Sequence, residues 1–303
     1  MAGNRSSAET GLGQLAFGDS VGIADAESLK AQRRYLWLLK VELLGLLGAV
    51  AMPVAALLRP LAEHSLKYFA IASAGSILLT LTASFVNRWF QLQGLWYSAR
   101  ALAESLKSES WRFAMRAGDY MGQDAQAGFV GTVQSLMLTE TIKRRLPLLN
   151  GVTSENLVTA AMTRLRSVAP AARLAFYVEH RLTDQHAWYL DKALSNRHAE
   201  TAWFTAAIGA QLAAFGCAMW TILEKGPVEV VSFAATAATS AVAWANSKDF
   251  SFHAQSYANI AGELGRLLEE SKEVKSDEEL ARLVDNVEHS ISREHTIWVA
   301  RKR

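Results

Sequence analysis

The sequence predicts an all-α membrane protein with two transmembrane helical hairpins, four spans in all, and a cytoplasmic helical bundle reached by long stalk helices. Three observations carry that prediction. Half of the 303 residues are apolar, only five are proline, and β-branched runs are few, so helices are favoured over strands. Four charge-poor stretches, 43–58, 68–86, 202–223 and 228–245, are 16 to 22 residues long, close to the ~20 that a helix needs to cross a bilayer. Short links, RPLAEHSLK and EKGP, join them in pairs, so each pair reads as a hairpin.

Residues 1–24 read as a loose tail, because MAGNRSSAETGLGQLAFGDS lacks the uninterrupted apolar core of a secretory signal. Tyr35, Trp37, Trp89, Trp203 and Trp244 cluster at the hairpin bases, with Tyr68 and Trp220 near the tips, as interfacial belts do. Basic residues separate the two sides. Lys30, Arg33, Arg34, Lys40, Arg88, Arg100, Arg197 and Lys248 flank the bases, against Arg59, Lys67 and Lys225 at the tips. Both termini and the middle segment are therefore expected in the cytoplasm. A soluble domain with buried hairpins is the competing reading; span length, belts and loops favour the membrane.

The second span meets no proline and only Gly94 before Gly118, so one helix from Tyr68 to Ala117 is expected, about 75 Å long. Shorter helices follow at about 124–146 and 154–168. Pro170 opens a helix with no breaker before Gly226, which should run into the third span. Ser276 and Glu279 form a capping box for a last helix whose buried face is Leu280, Leu283, Val284, Val287 and Ile291.

Hairpin and stalk occur twice. An offset of 159 residues brings Ser73 onto Ser232, Thr80 onto Thr239, Asn87 onto Asn246 and Glu104 onto Glu263. The chain thus divides into tandem modules, 25–150 and 151–303. Each second span carries a polar stripe at helical spacing: Ser73, Ser76, Thr80, Ser84 and Asn87 in one, Ser232, Thr236, Thr239, Ser240 and Asn246 in the other. Either the stripes pack helices or they line a wet pore. Four spans enclose no ion-wide hole readily, so a pore requires a homo-oligomer within the lipid bilayer. The first span, with Gly45, Gly48 and Pro53, and the third, with Gly209 and Gly216, would be packing helices.

Other chemistry is sparse. A charge of +2 gives no reason to expect a nucleic-acid partner. Cys217 stands alone within a span, and the pairs His180/His186 and His289/His295 are six apart, unlike helical metal ligands. No catalytic, cofactor-binding or metal motif appears, so an enzyme is not expected. Arg100, Glu104 and Lys107 share a helix face, which ordinarily means ion pairing. An anionic signal could instead use Arg100, Lys107 and Arg112.

Two motif sets carry a family resemblance. Tyr177 to Trp203 (YVEHRLTDQHAWYLDKALSNRHAETAW) holds Asp184, Gln185, Trp188, Tyr189, Lys192 and Asn196. After the second hairpin, VDNVEHSISREHTIW holds Glu288, Glu294, His295 and Trp298. Upstream, RALAESLKSESWRFAMRAGDY holds Arg100, Glu104, Lys107, Trp111 and Arg112. With these residues the chain resembles the SLATT family over about residues 25–303, in two modules. The resemblance implies a pore-forming or membrane-perturbing effector of a bacterial conflict or antiphage system, in the inner membrane, gated from the cytoplasm. No polymerase, sensor or nucleotide-binding domain is read in this sequence, so any trigger is expected to be a separate protein such as a nucleotide-signal sensor or synthase, a ligand acting on the cytoplasmic helices, or absent. The alternative is a membrane-anchored adaptor or sensor without conductance. Gln185, Trp188 and Lys192, with Asp184 beside them, are expected to lock the pre-membrane helix onto Glu288, His295 and Trp298.

Overall fold

A computed structural model of the chain describes residues 17–57, 63–139, 142, 145–147, 149, 152 and 157–301; the side chains of 63–65 and 294–301 lie outside that description. Among the described residues every regular element is helical. The α-helices are α1 (Asp19–Leu57), α2 (Glu63–Phe90), α3 (Leu92–Met115), α4 (Ala125–Met137), α5 (Ala160–Ser167), α6 (Pro170–Tyr177), α7 (Asp184–Glu224), α8 (Val228–Lys248), α9 (Phe250–Glu270) and α10 (Asp277–Arg301). A π-helical segment, Val178–Thr183, links α6 to α7.

The chain forms two compact units, and each draws on both halves of the sequence. Among the described residues, one holds those of 32–93 and 192–255; the other holds those of 17–31, 94–191 and 256–301. In the first unit, α1, α2, α7 and α8 are long and apolar enough to cross a membrane. Their apolar side chains face outward: Leu78, Phe85, Phe204, Phe215 and Ile222 are all exposed. In water such a surface would be an aggregation hazard; in lipid it is the ordinary solvent contact. This is a membrane protein.

The second unit has an ordinary core. Leu106, Phe113, Phe129, Met162, Leu165, Tyr177, Leu264, Val284 and Ile291 are buried together. The buried face expected for the last helix is found on α10, with Leu280, Leu283, Val284, Val287 and Ile291 all buried. Its capping box forms too: Ser276 Oγ accepts from the Glu279 N–H at 3.2 Å, and Glu279 accepts from the N–H groups of Ser276 and Lys275.

The structure corrects several boundaries. The helix α1 begins at Asp19, inside the stretch read as a tail, because Val21 and Ala24 bury their side chains there. The expected single helix from Tyr68 to Ala117 is broken at Gln91, whose φ of 46° is left-handed. The second module has the same break at Asp249, with φ 49°. These residues are 158 apart (249 − 91), one short of the 159 that aligns the polar stripes. The helix α4 ends at Met137, short of the expected 146, and α5 starts only at Ala160, where Thr159 Oγ1 caps the N–H of Met162. The helix opened by Pro170 does reach Glu224, but through the π-helical segment.

Candidate functional site

The core unit contains one cavity where the motif sets of both modules meet. It measures about 360 Å³ and is lined by Phe17, Arg100, Glu104, Lys107, Trp111, His180, Arg181, Asp184, Gln185, Trp188 and Tyr189. The helix α3 contributes the first module's residues, Arg100 to Trp111. The π-helical segment and the first turns of α7 contribute the second's. Helical spacing explains the convergence: Arg100, Glu104, Lys107 and Trp111 recur every three or four residues, as do Arg181, Gln185 and Trp188, with Tyr189 four residues after Gln185.

The cations on its α3 wall are already matched. Arg100 lies 3.0 Å from Glu104 and 3.5 Å from Asp25; Lys107 lies 3.3 Å from Glu104 and 3.5 Å from Asp25. The ion-pair reading of this face is thus what the geometry displays. Arg112 is not in the lining: it pairs with Glu109 at 2.8 Å and Asp285 at 3.3 Å. Those two carboxylates, the closest first, hold its guanidinium pKa up against the opposing effect of burial.

Behind the cavity wall sits a buried ion pair. Glu288 is fully buried and Arg181 nearly so. Arg181 donates to Glu288 from Nε at 2.9 Å and from Nη2 at 2.7 Å; Tyr177 Oη and Ser108 Oγ donate at 2.9 and 2.7 Å. A carboxylate with four donors has its desolvation offset, and removing one partner of such a pair costs about 3–5 kcal/mol. Tyr177 is pushed well above its ordinary pKa, first by burial and then by the Glu288 charge. The expected partners of Glu288 were Gln185, Trp188 and Lys192. These four bonds come instead from Ser108, Tyr177 and Arg181, because only an arginine fork matches both carboxylate oxygens with charge. Asn196 donates to the Lys192 carbonyl at 2.7 Å, outside the cavity. The side chains of Glu294, His295 and Trp298 lie outside the described ones.

Sequence reading missed Asp25, Ser108, Tyr177 and Arg181. Tyr177 and Arg181 stand four residues apart within the quoted motif stretch, and a lone arginine on an apolar face was the available signal. Asp25 and Ser108 had none, since their meaning depends on distant neighbours.

In the membrane unit the two polar stripes separate. On α2, Ser73 Oγ donates to the Ala49 carbonyl at 2.7 Å, and Thr80 Oγ1 lies 3.4 Å from the Glu42 carbonyl and 3.0 Å from that of Ser76. Ser84 donates to the Glu42 carboxylate, Ser76 bonds back to the Ala72 carbonyl at 3.0 Å, and Asn87 is half-buried. The bond to Ala49 has a cause in sequence. Pro53 has no N–H, so the carbonyl four residues before it lacks its helical donor, and Ser73 supplies one. A side chain on Gly45 would collide with Thr80 Oγ1, and one on Gly48 would meet Ser76 Oγ at 3.1 Å.

On α8, Ser232, Thr239 and Asn246 are exposed, Thr236 is half-buried and Ser240 is buried. The hydroxyls of Ser232, Thr236 and Thr239 donate to Val228, Ser232 and Ala235, each four residues back in the same helix. Gly209 and Gly216 on α7 have nothing within 4 Å of where a side chain would stand. They are not packing notches as Gly45 and Gly48 are.

Residues 22–174 match the SMODS and SLOG-associating 2TM effector domain 3, SLATT_3, and residues 177–298 match domain 1, SLATT_1. The chain belongs to the SLATT family. Two SLATT effector domains in tandem, each of two transmembrane helices, account for the four spans. No curated protein and no solved structure matches the chain. The SLATT match joins the two sides of the cavity: α3 comes from the first domain, the π-helical segment and α7 from the second. Among the described residues no group of three His, Cys, Asp or Glu could hold a metal ion.

Proposed function

We propose that this SLATT protein is a membrane-perturbing effector of a bacterial conflict system that assembles as a homo-oligomeric pore, with its termini in the cytoplasm. The observation that carries the reading is the exposed, heptad-spaced row Ser232, Thr239 and Asn246 on α8. Among the described residues the two hydroxyls are bonded only within their own helix, and a row of such groups is best met by water or by another copy, not by lipid. The pore lining is therefore assigned to α8, while the α2 hydroxyls close the first hairpin. Uncharged hydroxyls would pass small ions with little charge preference. The cavity among the motif residues is the proposed trigger site, since α7 starts in its wall and continues as one helix to Glu224. A separate sensor or synthase of a nucleotide signal would supply the trigger.

Liposomes loaded with a potassium-sensitive dye test this. The wild type should leak, and Thr239→Leu should slow the leak by narrowing and drying the pore while cross-linked oligomers persist. An unchanged leak in Thr239→Leu would remove α8 from the lining. A second reading, an adaptor that is merely anchored, is favoured by the internal bonding of the α2 stripe. It expects vesicles to stay tight under every condition.

A further inference from the structure

The membrane unit holds a second cavity that the effector reading does not use. It lies between the start of the first span and the end of the second, encloses about 540 Å³, and is walled by Trp37, Leu38, Val86, Phe90 and Leu92, with Arg33 and Arg34 at its edge. Of its lining, Leu38 and Leu92 are buried, whereas Trp37 and Phe90 stand largely exposed. The left-handed Gln91 stands between Phe90 and Leu92, so the groove is walled from both sides of the helix break.

Depth identifies the occupant. The charge-free stretch of α1 is Leu43 to Leu57, 15 helical residues, about 22 Å at 1.5 Å per residue, and Lys40 and Glu42 mark the passage from it into the interfacial layer where Trp37 stands. Arg33 and Arg34 stand about one turn further out, at the level of lipid phosphates. Both are exposed and make no hydrogen bond or ion pair with the described residues, whereas Arg100, Arg112, Arg173 and Arg181 all do. An apolar groove that opens at headgroup depth beside two uncompensated guanidiniums fits one chemistry: an anionic phosphate joined to a hydrocarbon chain.

We propose that this groove is a binding site for an anionic glycerophospholipid, with the phosphate held by Arg33 and Arg34 and one acyl chain lying along Trp37, Val86 and Phe90. Arginine forks bind phosphate oxygens in pairs, and the exposed Trp37 and Phe90 rings present faces to the glycerol and upper acyl region. The proposal stands whether or not the assembly conducts ions.

Native mass spectrometry of the detergent-solubilised full chain, titrated with dioleoylphosphatidylglycerol or dioleoylphosphatidylcholine, tests it. The wild type should retain one phosphatidylglycerol per protomer more tightly than phosphatidylcholine. Arg33→Gln with Arg34→Gln should weaken that retention roughly 30-fold, from about one interfacial charge interaction per arginine. The double lysine variant should keep most of it. Val86→Trp, which fills the groove and leaves both arginines, should also lose phosphatidylglycerol; Lys67→Gln, at the hairpin tip, should not. Melting temperature and elution volume check that each variant is folded. Full retention by the double glutamine variant, full retention by Val86→Trp, or equal retention of the two lipids would overturn the site. Displacement by millimolar inorganic phosphate would also overturn it, since that marks an ion site without a tail.

Discussion

In the first hairpin Thr80 reaches across to Gly45, where no side chain fits; in the second, Thr239 turns back to Ala235 on its own helix. The positions are equivalent in the 159-residue repeat and carry the same residue type. What differs is the partner helix. α1 offers a glycine notch at Gly45 and Gly48 and a carbonyl at Ala49 left without its donor by Pro53. α7 has no proline within its span, and its glycines face open space. A hydroxyl on a membrane helix takes its role from the backbone it meets, and a repeat can therefore keep its residues while changing their use.

Substitutions can break or sharpen this contrast. The largest effect is expected at the notch. Gly45→Val should destabilise the first hairpin by about 3 kcal/mol through overpacking, whereas Gly209→Val should stay within about 0.5 kcal/mol. Denaturant unfolding in detergent measures both, and equal losses would erase the distinction between the hairpins. Next comes the proline-linked carbonyl. Ser73→Ala should cost about 1.5 kcal/mol because an acceptor is left orphaned in an apolar setting. Pro53→Ala should remove most of that cost by restoring the helical N–H, which a double-mutant cycle reads as strong coupling.

A smaller effect is expected where a hydroxyl bond is lost without an orphan. Thr80→Val should cost about 0.6 kcal/mol, the usual worth of such a bond in a membrane protein, and Thr239→Val should be nearly neutral for stability. A loss at Thr239 as large as at Thr80 would show that α8 is packed as tightly as α2. The smallest effect lies away from both hairpins. Backbone N–H groups of Lys275 and Ser276 hold the Glu279 carboxyl below its ordinary pKa. A lowered folded value means that the cap contributes fully above the unfolded-chain value of about 4.3 and fades as pH falls through the folded one. The melting difference between wild type and Glu279→Gln should therefore shrink from pH 6 toward pH 3. A difference that persists at pH 3 would place its origin elsewhere.

The sequence made the helical class, the four spans and the α10 face legible, because each rests on periodicity that a single chain displays. The capping box was equally readable, since Ser276 and Glu279 meet within one turn. Gln91 was not, because glutamine carries no preference for left-handed backbone, and Asp249 was marked only by the mild tolerance of aspartate for it. The cavity was half legible. Arg100, Glu104, Lys107, Trp111, Asp184, Gln185, Trp188 and Tyr189 stood out as motifs, but that they share one space depends on α3 meeting the start of α7. Asp25 and Ser108 illustrate the remainder: a charge and a hydroxyl without local pattern acquire a role only from residues far along the chain. The stripes show the same limit, for spacing revealed both rows and could not say which one a glycine notch would absorb.

The six residues from Val178 to Thr183 turn less per residue than a regular helix would. A π-turn accommodates one additional residue per hydrogen-bonded ring, and in regular helix each residue accounts for about 100° of rotation. Arg181, on that segment, is fixed to Glu288 by two bonds. Returning the segment to regular α-helical bonding would change the angular phase of α7 relative to α6, and the two bonds from Arg181 to Glu288 oppose that change by holding the side chain at its present angle.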